Sequence, residues 1–397
     1  MIIIYILFWL SAFFLIYPYI IFPVLLILLT KHFASNKHLK EIENKWPFVT
    51  FIISAYNEEQ VISQKIQNTI ELDYPKDKLE IIVISDASND NTDDIVQDWA
   101  VKNENILLVR QNQRKGKSAG LNLGIRNAKG EVVIFSDANA FYKNDAVYEL
   151  VKYFANPDIG YVIGAALYNE ETGNESTESE GLYWEFEIFI KKIESRFYSV
   201  VGGDGAIYAI RRKLFWNLED DDINDFVNPL QIVAKGYKGL FNPQAICYED
   251  AAGDFQKEFH RKRRIVNRSW RAVKRYIGWF DVKSQFKYLF ELFSHKVIRW
   301  FSMFFFVVMY LANLFILVVA PNLFYLLSFL LQSLLIVLAL TGYYLNLQQK
   351  NIPRLAYLPY YYFLVNIAAL LGIIDESKGV KYTVWEHVRE SSAGKIK

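Results

Sequence analysis

Cysteine is nearly missing from this sequence: Cys247 stands alone among 397 residues. No intrachain disulfide can form, and nothing points to an oxidising compartment. An excess of charge is missing too, since 44 Lys and Arg against 43 Asp and Glu leave a net +1. Without a global positive field, nucleic acid is not an expected partner. No G-x-G-x-x-G opens the first helical pattern, which speaks against a nicotinamide enzyme. Gly116-Lys117-Ser118 looks like the end of a phosphate loop, but Gln111 occupies the position where that loop needs its first glycine. Internal repeats and low-complexity stretches are absent. Residues 1–30 lack a basic leader and a small-residue cleavage site, so they do not read as a removable signal peptide.

What is abundant is apolar and aromatic. Hydrophobic residues make up 52% and aromatics 16%, while charged residues, at 22%, stay near the average of soluble proteins. That mixture implies a soluble domain joined to lipid-facing segments. Residues 1–30 are long enough and apolar enough for one transmembrane helix, with Pro18 and Pro23 as kink points. Lys31, His32, Lys37, His38 and Lys40 follow at once, which places the next domain in the cytoplasm by the positive-inside rule. Residues 297–374 hold three more apolar runs, at about 297–320, 322–346 and 355–374. They are expected as C-terminal transmembrane segments of a multi-pass protein of the inner or plasma membrane. The third run raises a conflict: if it crosses, the basic tail 375–397, with Lys378, Lys381, Arg389, Lys395 and Lys397, lies outside. A re-entrant or interfacial third segment resolves the conflict, and the sequence leaves the choice open.

Between the anchors, residues 46–250 alternate β-rich runs at 49–54, 79–85, 106–110 and 131–136 with helical patterns at 59–72, 92–103 and 118–128. This order predicts an α/β domain with a mostly parallel, helix-covered sheet. Ligands of such sheets bind at the carboxyl ends of the strands. Three of those ends are acidic: Ser54-Ala55-Tyr56-Asn57-Glu58-Glu59, Ser85-Asp86-Ala87-Ser88-Asn89-Asp90 and Ser136-Asp137-Ala138-Asn139. Each alone could start a turn or cap a helix. Together on one edge they repel unless a cation or donor sits among them.

Asp137 and Asn139 present two oxygen ligands two residues apart, a pattern suited to Mg²⁺ or Mn²⁺ bridging a diphosphate. Lys117 can meet an anion. The Gly-rich stretch Gly202-Gly203-Asp204-Gly205 lets backbone approach a ligand closely, or simply makes a tight turn. Asp225 falls at the start of a helical pattern, where it is either an N-terminal cap or a charged general base. Residues 251–296 form an amphipathic, basic and aromatic region. In it Arg261, Arg264, Arg268, Arg271 and Arg275 recur at helical spacing. The stripe suits diphosphate neutralisation by Arg264, with the later arginines on anionic membrane lipids.

In combination these motifs resemble the family 2 glycosyltransferases, inverting enzymes of the GT-A fold, and within them the bacterial membrane branch that builds surface polysaccharides. The resemblance implies that Ala55, Tyr56 and Glu58 line the nucleotide and that Asp86 contacts the nucleobase. It implies that Asp137 and Asn139 hold the metal, that Gly203-Asp204-Gly205 lies near the acceptor, and that Asp225 is the base. Uridine diphosphate sugars are the commonest donors of the family. A lipid-linked or saccharide acceptor is implied, and an export partner or homo-oligomer if product crosses the membrane. Processive members carry Gln-x-x-Arg-Trp where this chain reads Arg261-Lys262-Arg263-Arg264-Ile265. Arg264 is kept while the Gln and Trp are not, which speaks for transfer of one or a few sugars.

Overall fold

The computed structural model describes residues 1–33, 46–168, 175–249 and 255–383. Lys37, His38, Lys40, Arg389, Lys395 and Lys397 lie outside them. The domain between the apolar segments is built on one eight-stranded sheet. Its strands are β1 (Val49–Ala55), β2 (Leu79–Ser85), β3 (Ile106–Arg110), β4 (Val132–Asp137), β5 (Phe141–Tyr142), β6 (Ile159–Tyr168), β7 (Tyr208–Arg211) and β8 (Lys238–Glu249). They lie in the order β3-β2-β1-β4-β7-β6-β8-β5. The first four are mutually parallel, β7 runs against both β4 and β6, and β8 is parallel to β6.

Strands covered on both faces read as continuous apolar runs, because alternate side chains enter two different cores. Ile52, Ile82, Ile84 and Phe135 pack on one side with Phe226, Leu230 and Val266. Phe51, Ile53, Ile81 and Val83 pack on the other with Ile62, Ile66 and Val147. The helix Lys117–Asn127 lies close on the sheet through two glycines. A methyl group on Gly120 or Gly124 would come within 2.8 Å of Ile84.

Register sets the working edge. Ala55 pairs with Ser85 and Ser54 with Asp137, so the chain leaves β1, β2 and β4 at one level.

Among the described residues, four helices are long and apolar enough to cross a membrane: Ile2–Lys31, Ser302–Val319, Leu323–Leu347 and Arg354–Ser377. The first is interrupted where Pro18 sits. Tyr17–Ile21 form a π-helical turn between α-helices Ile2–Ile16 and Phe22–Phe33. Ile2–Ile16 packs along Ser302–Val319, whereas Phe22 and Leu26 pack on Ile190, Ile193 and Phe197 of the domain helix Glu175–Phe197.

The arginine-bearing helix, Phe255–Tyr276, departs from the sequence expectation. Its later arginines do not face lipid. Arg268 and Arg271 are buried, and Arg271 and Arg275 reach Asp221, at 3.3 and 2.7 Å. Arg275 also pairs with Asp222, and Arg263 forks onto Asp375 at 2.6 and 2.8 Å. Acidic partners some fifty and more than a hundred residues away turn the stripe inward. Periodicity alone carries no information about them.

Candidate active site

The loops after β1 and β2 are laced together before any ligand is considered. Asn57 takes the left-handed conformation (φ 55°) that a short amide side chain tolerates, and its Oδ1 accepts from the Asn89 N–H at 3.0 Å. The N–H groups of Glu58 and Glu59 donate to Thr92 Oγ1 and Asp90 Oδ2. Asp90 also accepts from the Thr92 N–H, so this aspartate is a local cap and not a ligand group.

Asp86 is different. It is 4% exposed and held by its own loop, accepting from Gln111 Nε2 at 2.7 Å, the Lys115 N–H at 2.8 Å and the Gly116 N–H at 3.0 Å. Burial pushes its carboxyl up, while those backbone donors and the Arg114 charge pull it back. The φ of +88° at Gly116 turns the chain so that its N–H can point at Asp86. Arg114 lies 3.8 Å from the centre of the Tyr56 ring, a cation–π contact that roofs this half of the edge.

The second half gathers around Gly205. A methyl group built there would lie 3.2 Å from Lys117 Nζ, 3.6 Å from Asp225 Oδ2 and 3.8 Å from Asp137 Oδ2. Lys117 opens its helix and forms an ion pair with Asp137. Asp225 lies in the first turn of the helix Asn224–Ala234, but the N-cap position belongs to Ile223. The capping role considered for Asp225 is therefore not what it does. Its Oδ1 is shielded from solvent and accepts no hydrogen bond. Burial pushes the carboxyl up to about 6; Lys117 opposes the rise, and Asp204 and Asp137 add to it. Glu58 is pushed up to about 8 by burial, then by the charges of Asp137 and Asp90.

Two asparagines fix the helix that carries Asp225. Asn224 and Asn228 both donate to Tyr208 Oη on β7, at 2.7 and 3.0 Å. The Gly-rich loop is stitched to the same turn, with the Gly203 N–H donating to the Asp225 carbonyl at 2.6 Å. A Cβ on Gly203 would sit 3.0 Å from that carbonyl oxygen, so the glycine permits the approach.

Arg264 is half-buried, one helical turn before Arg268. Burial and then the Arg264 charge lower the Arg268 guanidinium to about 10, opposed by Asp225, Asp222 and Asp221. Arg268 donates to the carbonyls of Asp221 and Asp222 and to Ser118 Oγ, and Ser118 itself donates to Asp222 O at 2.6 Å. The helix that starts with Lys117 and the loop that leads to Asp225 are thereby clipped together.

Sequence reasoning missed Lys65. It lies on the helix Ile62–Glu71, fully buried, with its ammonium 4.3 Å from the Tyr142 ring centre and 5.0 Å from that of Phe51. It donates to the carbonyl of Ala140, just after the Asp137–Asn139 turn. Asn68, one turn on, exchanges hydrogen bonds with the backbone of Tyr142 at 2.9 and 2.8 Å. A lysine on the apolar face shared by Ile62, Ile66 and Thr69 was the available signal.

Among the described residues no three His, Cys, Asp or Glu side chains converge as a ready metal cage. Asp137 and Asn139 offer hard oxygen donors on one turn. This donor set fits a divalent cation that completes its shell with ligand oxygens, and not a closed protein site.

Residues 50–219 match the model for "Glycosyl transferase family 2". The probable glycosyltransferase YdaM of Bacillus subtilis is 29% identical over 304 residues, 70% of this chain and 69% of that protein. A beta-monoglucosyldiacylglycerol synthase of Nostoc sp. is 27% identical over 265 residues, 63% of this chain but only 54% of its own length. The poly-beta-1,6-N-acetyl-D-glucosamine synthase of Staphylococcus epidermidis is 32% identical over 135 residues, about a third of each chain (34% and 32%). Among solved structures, a mannosyltransferase from Pyrobaculum calidifontis, in complex with GDP-Man and Mn²⁺, superposes with a TM-score of 0.69. It covers 92% of this chain and 99% of its own, at 21% identity. The sheet is that of the GT-A fold, and residues 50–219 form a family 2 glycosyltransferase domain.

Proposed function

We propose that this protein transfers a sugar from a nucleotide diphosphate donor to a hydroxyl of a lipid-linked or saccharide acceptor, with inversion, at the cytoplasmic face of the plasma membrane. The observation that carries the reading is the meeting of Lys117, Asp137 and Asp225 around Gly205. A base, a leaving-group site and a backbone clearing share one point, as a single displacement requires.

The nucleotide lies over Ala55, Tyr56, Glu58 and Asp86, and its diphosphate is directed toward Lys117 and Asp137. Asp137 and Asn139 would hold Mn²⁺ or Mg²⁺, whose contribution is positive charge against the departing diphosphate. Arg264, whose charge is felt by Arg268 beside Asp221 and Asp222, is assigned to the diphosphate. The acceptor enters past Gly203, Asp204 and Gly205. Asp225 removes its proton at Oδ1 or Oδ2 as the oxygen attacks the anomeric carbon. The similarity to a glycolipid synthase supports a lipid acceptor, and Lys31, Lys350 and Arg354 support a cytoplasmic domain.

The test is nucleoside diphosphate release by detergent-purified protein over a panel of nucleotide sugars, with membrane lipid extract and Mn²⁺ or Mg²⁺. Metal-dependent release with one donor, lost in Asp137→Ala, is expected. Donor binding without release across the panel, at every acceptor tried, would overturn the reading in favour of a non-catalytic nucleotide-sugar-binding subunit. A processive synthase is the second reading, favoured by the similarity to a polymer synthase. It would yield chains, where Ile265 in place of the family's Trp predicts short products.

A further inference from the structure

Among the described residues four helices have the length and composition to cross a bilayer, and the last packs more extensively on the arginine helix than on any of the other three. Ser302 follows Trp300, whose ring lies 6.0 Å from Phe226, the neighbour of Asp225; this end is the catalytic end. The helix Ser302–Val319 then runs away from the domain beside Ile2–Ile16. Phe14 meets Phe305 near the domain at 4.9 Å, and Phe8 packs with Ile316 and Tyr325 far from it. Leu323–Leu347 brings the chain back. Near its end Gly342 abuts Tyr360 and Ala356, and Leu345 joins a cluster with Phe255 and Phe259 of the arginine helix. Arg354–Ser377 thus begins on the catalytic side.

It also ends there. Ala369 and Ile373 belong to the apolar core of the catalytic sheet. Asp375 holds Arg263, Glu376 holds Lys274 at 2.7 Å, and the Val380 carbonyl accepts from Arg271 at 2.7 Å. Between its ends the helix runs parallel to the arginine helix for its whole length. Phe255 meets Tyr360 at 4.8 Å, Gly372 meets the Arg263 backbone so closely that a Cβ would fall 2.5 Å from its carbonyl, and Glu376 meets Lys274. That companion carries ten charged side chains, and charges at the bilayer centre are costly. A helix bound lengthwise to such a partner cannot take it through hydrocarbon. The outer face stays apolar, with Leu355 74% and Leu358 47% exposed.

We propose that Arg354–Ser377 does not cross the membrane but docks, paired with the arginine helix, on the lipid surface nearest the catalytic domain, apolar face down. The described chain then crosses three times, and residues after Ser377 share the catalytic domain's side. Lys378 and Lys381 fall on the side of Lys31 and Lys350, which removes the charge conflict of a fourth crossing. The inference rests on the membrane-embedded reading of the function, though not on the identity of the donor.

The buried Cys247 leaves the surface free of thiols among the described residues, so single added cysteines report sidedness. Lys102→Cys marks the catalytic domain, Pro321→Cys the far link and Lys378→Cys the end of the last helix; all three positions are exposed. A membrane-impermeant maleimide is applied to intact spheroplasts and to inverted vesicles, with labelling in detergent as the full scale and transferase activity as the check on folding. Lys102→Cys and Lys378→Cys are expected to label only in inverted vesicles, and Pro321→Cys only in spheroplasts. Labelling of Lys378→Cys together with Pro321→Cys overturns the proposal, as does protection of Lys378→Cys from both sides. If all three label from one side, the membrane-spanning reading itself fails, a separate result. A fluorescent reporter after Lys397, dark when exported, distinguishes the same two sides should a cysteine variant not fold.

Discussion

Asp86 and Asp225 are acids at the same edge of one sheet, yet the fold treats them oppositely. Asp86 accepts from three donors of the Gln111–Gly116 loop, most of them on Oδ1. Asp225 keeps Oδ1 buried and unpartnered, with the Lys117 charge at hand and those of Asp204 and Asp137 against it. A carboxylate held by its own loop holds a shape, and shape serves a part of the ligand that does not change during reaction. An unsatisfied one is poised to take a proton. Under the proposed function, the difference gives binding to the β1–β2 half of the edge and chemistry to the β4–β7 half.

The sharpest way to break that division is Asp225→Asn. Turnover is expected to fall about 10²–10⁴-fold, with donor affinity by calorimetry unchanged; full turnover would remove the base from Asp225. Next is Gly205→Ala, which puts a methyl where Lys117, Asp137 and Asp225 meet. A displacement of about 1 Å there is expected to cost roughly 10²-fold in kcat, with thermal stability near the parent's. An unchanged kcat would mean the clearing is not on the reaction path. Asp86→Asn works on the other half. It sets an N–H against the loop donors, and losing a charge-assisted hydrogen bond of about 1.5–3 kcal/mol should raise donor KM at least tenfold while kcat holds. A kcat loss without a KM change would dissolve the comparison.

The smallest effect is in pH. Asp225 is raised from its ordinary value to about 6 and must be ionised to act, so kcat/KM should be flat above that pH. Below it the rate should drop by roughly tenfold per unit, as for one essential base. A profile level down to pH 5 would exclude the residue as that base.

Much of the binding half was legible in the sequence. Strands β1, β2 and β4 are short apolar runs that end at Ala55, Ser85 and Asp137, with Tyr56 and Asp86 just beyond the first two, and parallel order follows from the helices between them. The chemical half was legible only as fragments. Lys117, Gly205 and Asp225 come from a helix start, a loop and another helix. Their meeting depends on β7 inserting antiparallel between β4 and β6, which no local pattern announces. The arginine stripe declared its period but not its partners, so Asp221 and Asp375 reversed its expected orientation. Lys65 was hidden because a charge on an apolar face usually means a misjudged helix, not a cation held between Phe51 and Tyr142.

The main-chain bond between Gly203 and Asp225 has a consequence for how such a protein can diversify. That bond joins backbone to backbone and needs no particular side chain at either end, while Asp204 Oδ1 separately braces the loop by accepting from the Ala206 N–H at 3.1 Å. Under the proposed function, acceptor preference can drift through the non-glycine side chains of that loop while the turn that carries Asp225 stays in place. The glycines of the loop are the constrained positions: a Cβ on Gly203 presses on the carbonyl that sets the distance, and one on Gly205 enters the clearing beside Lys117.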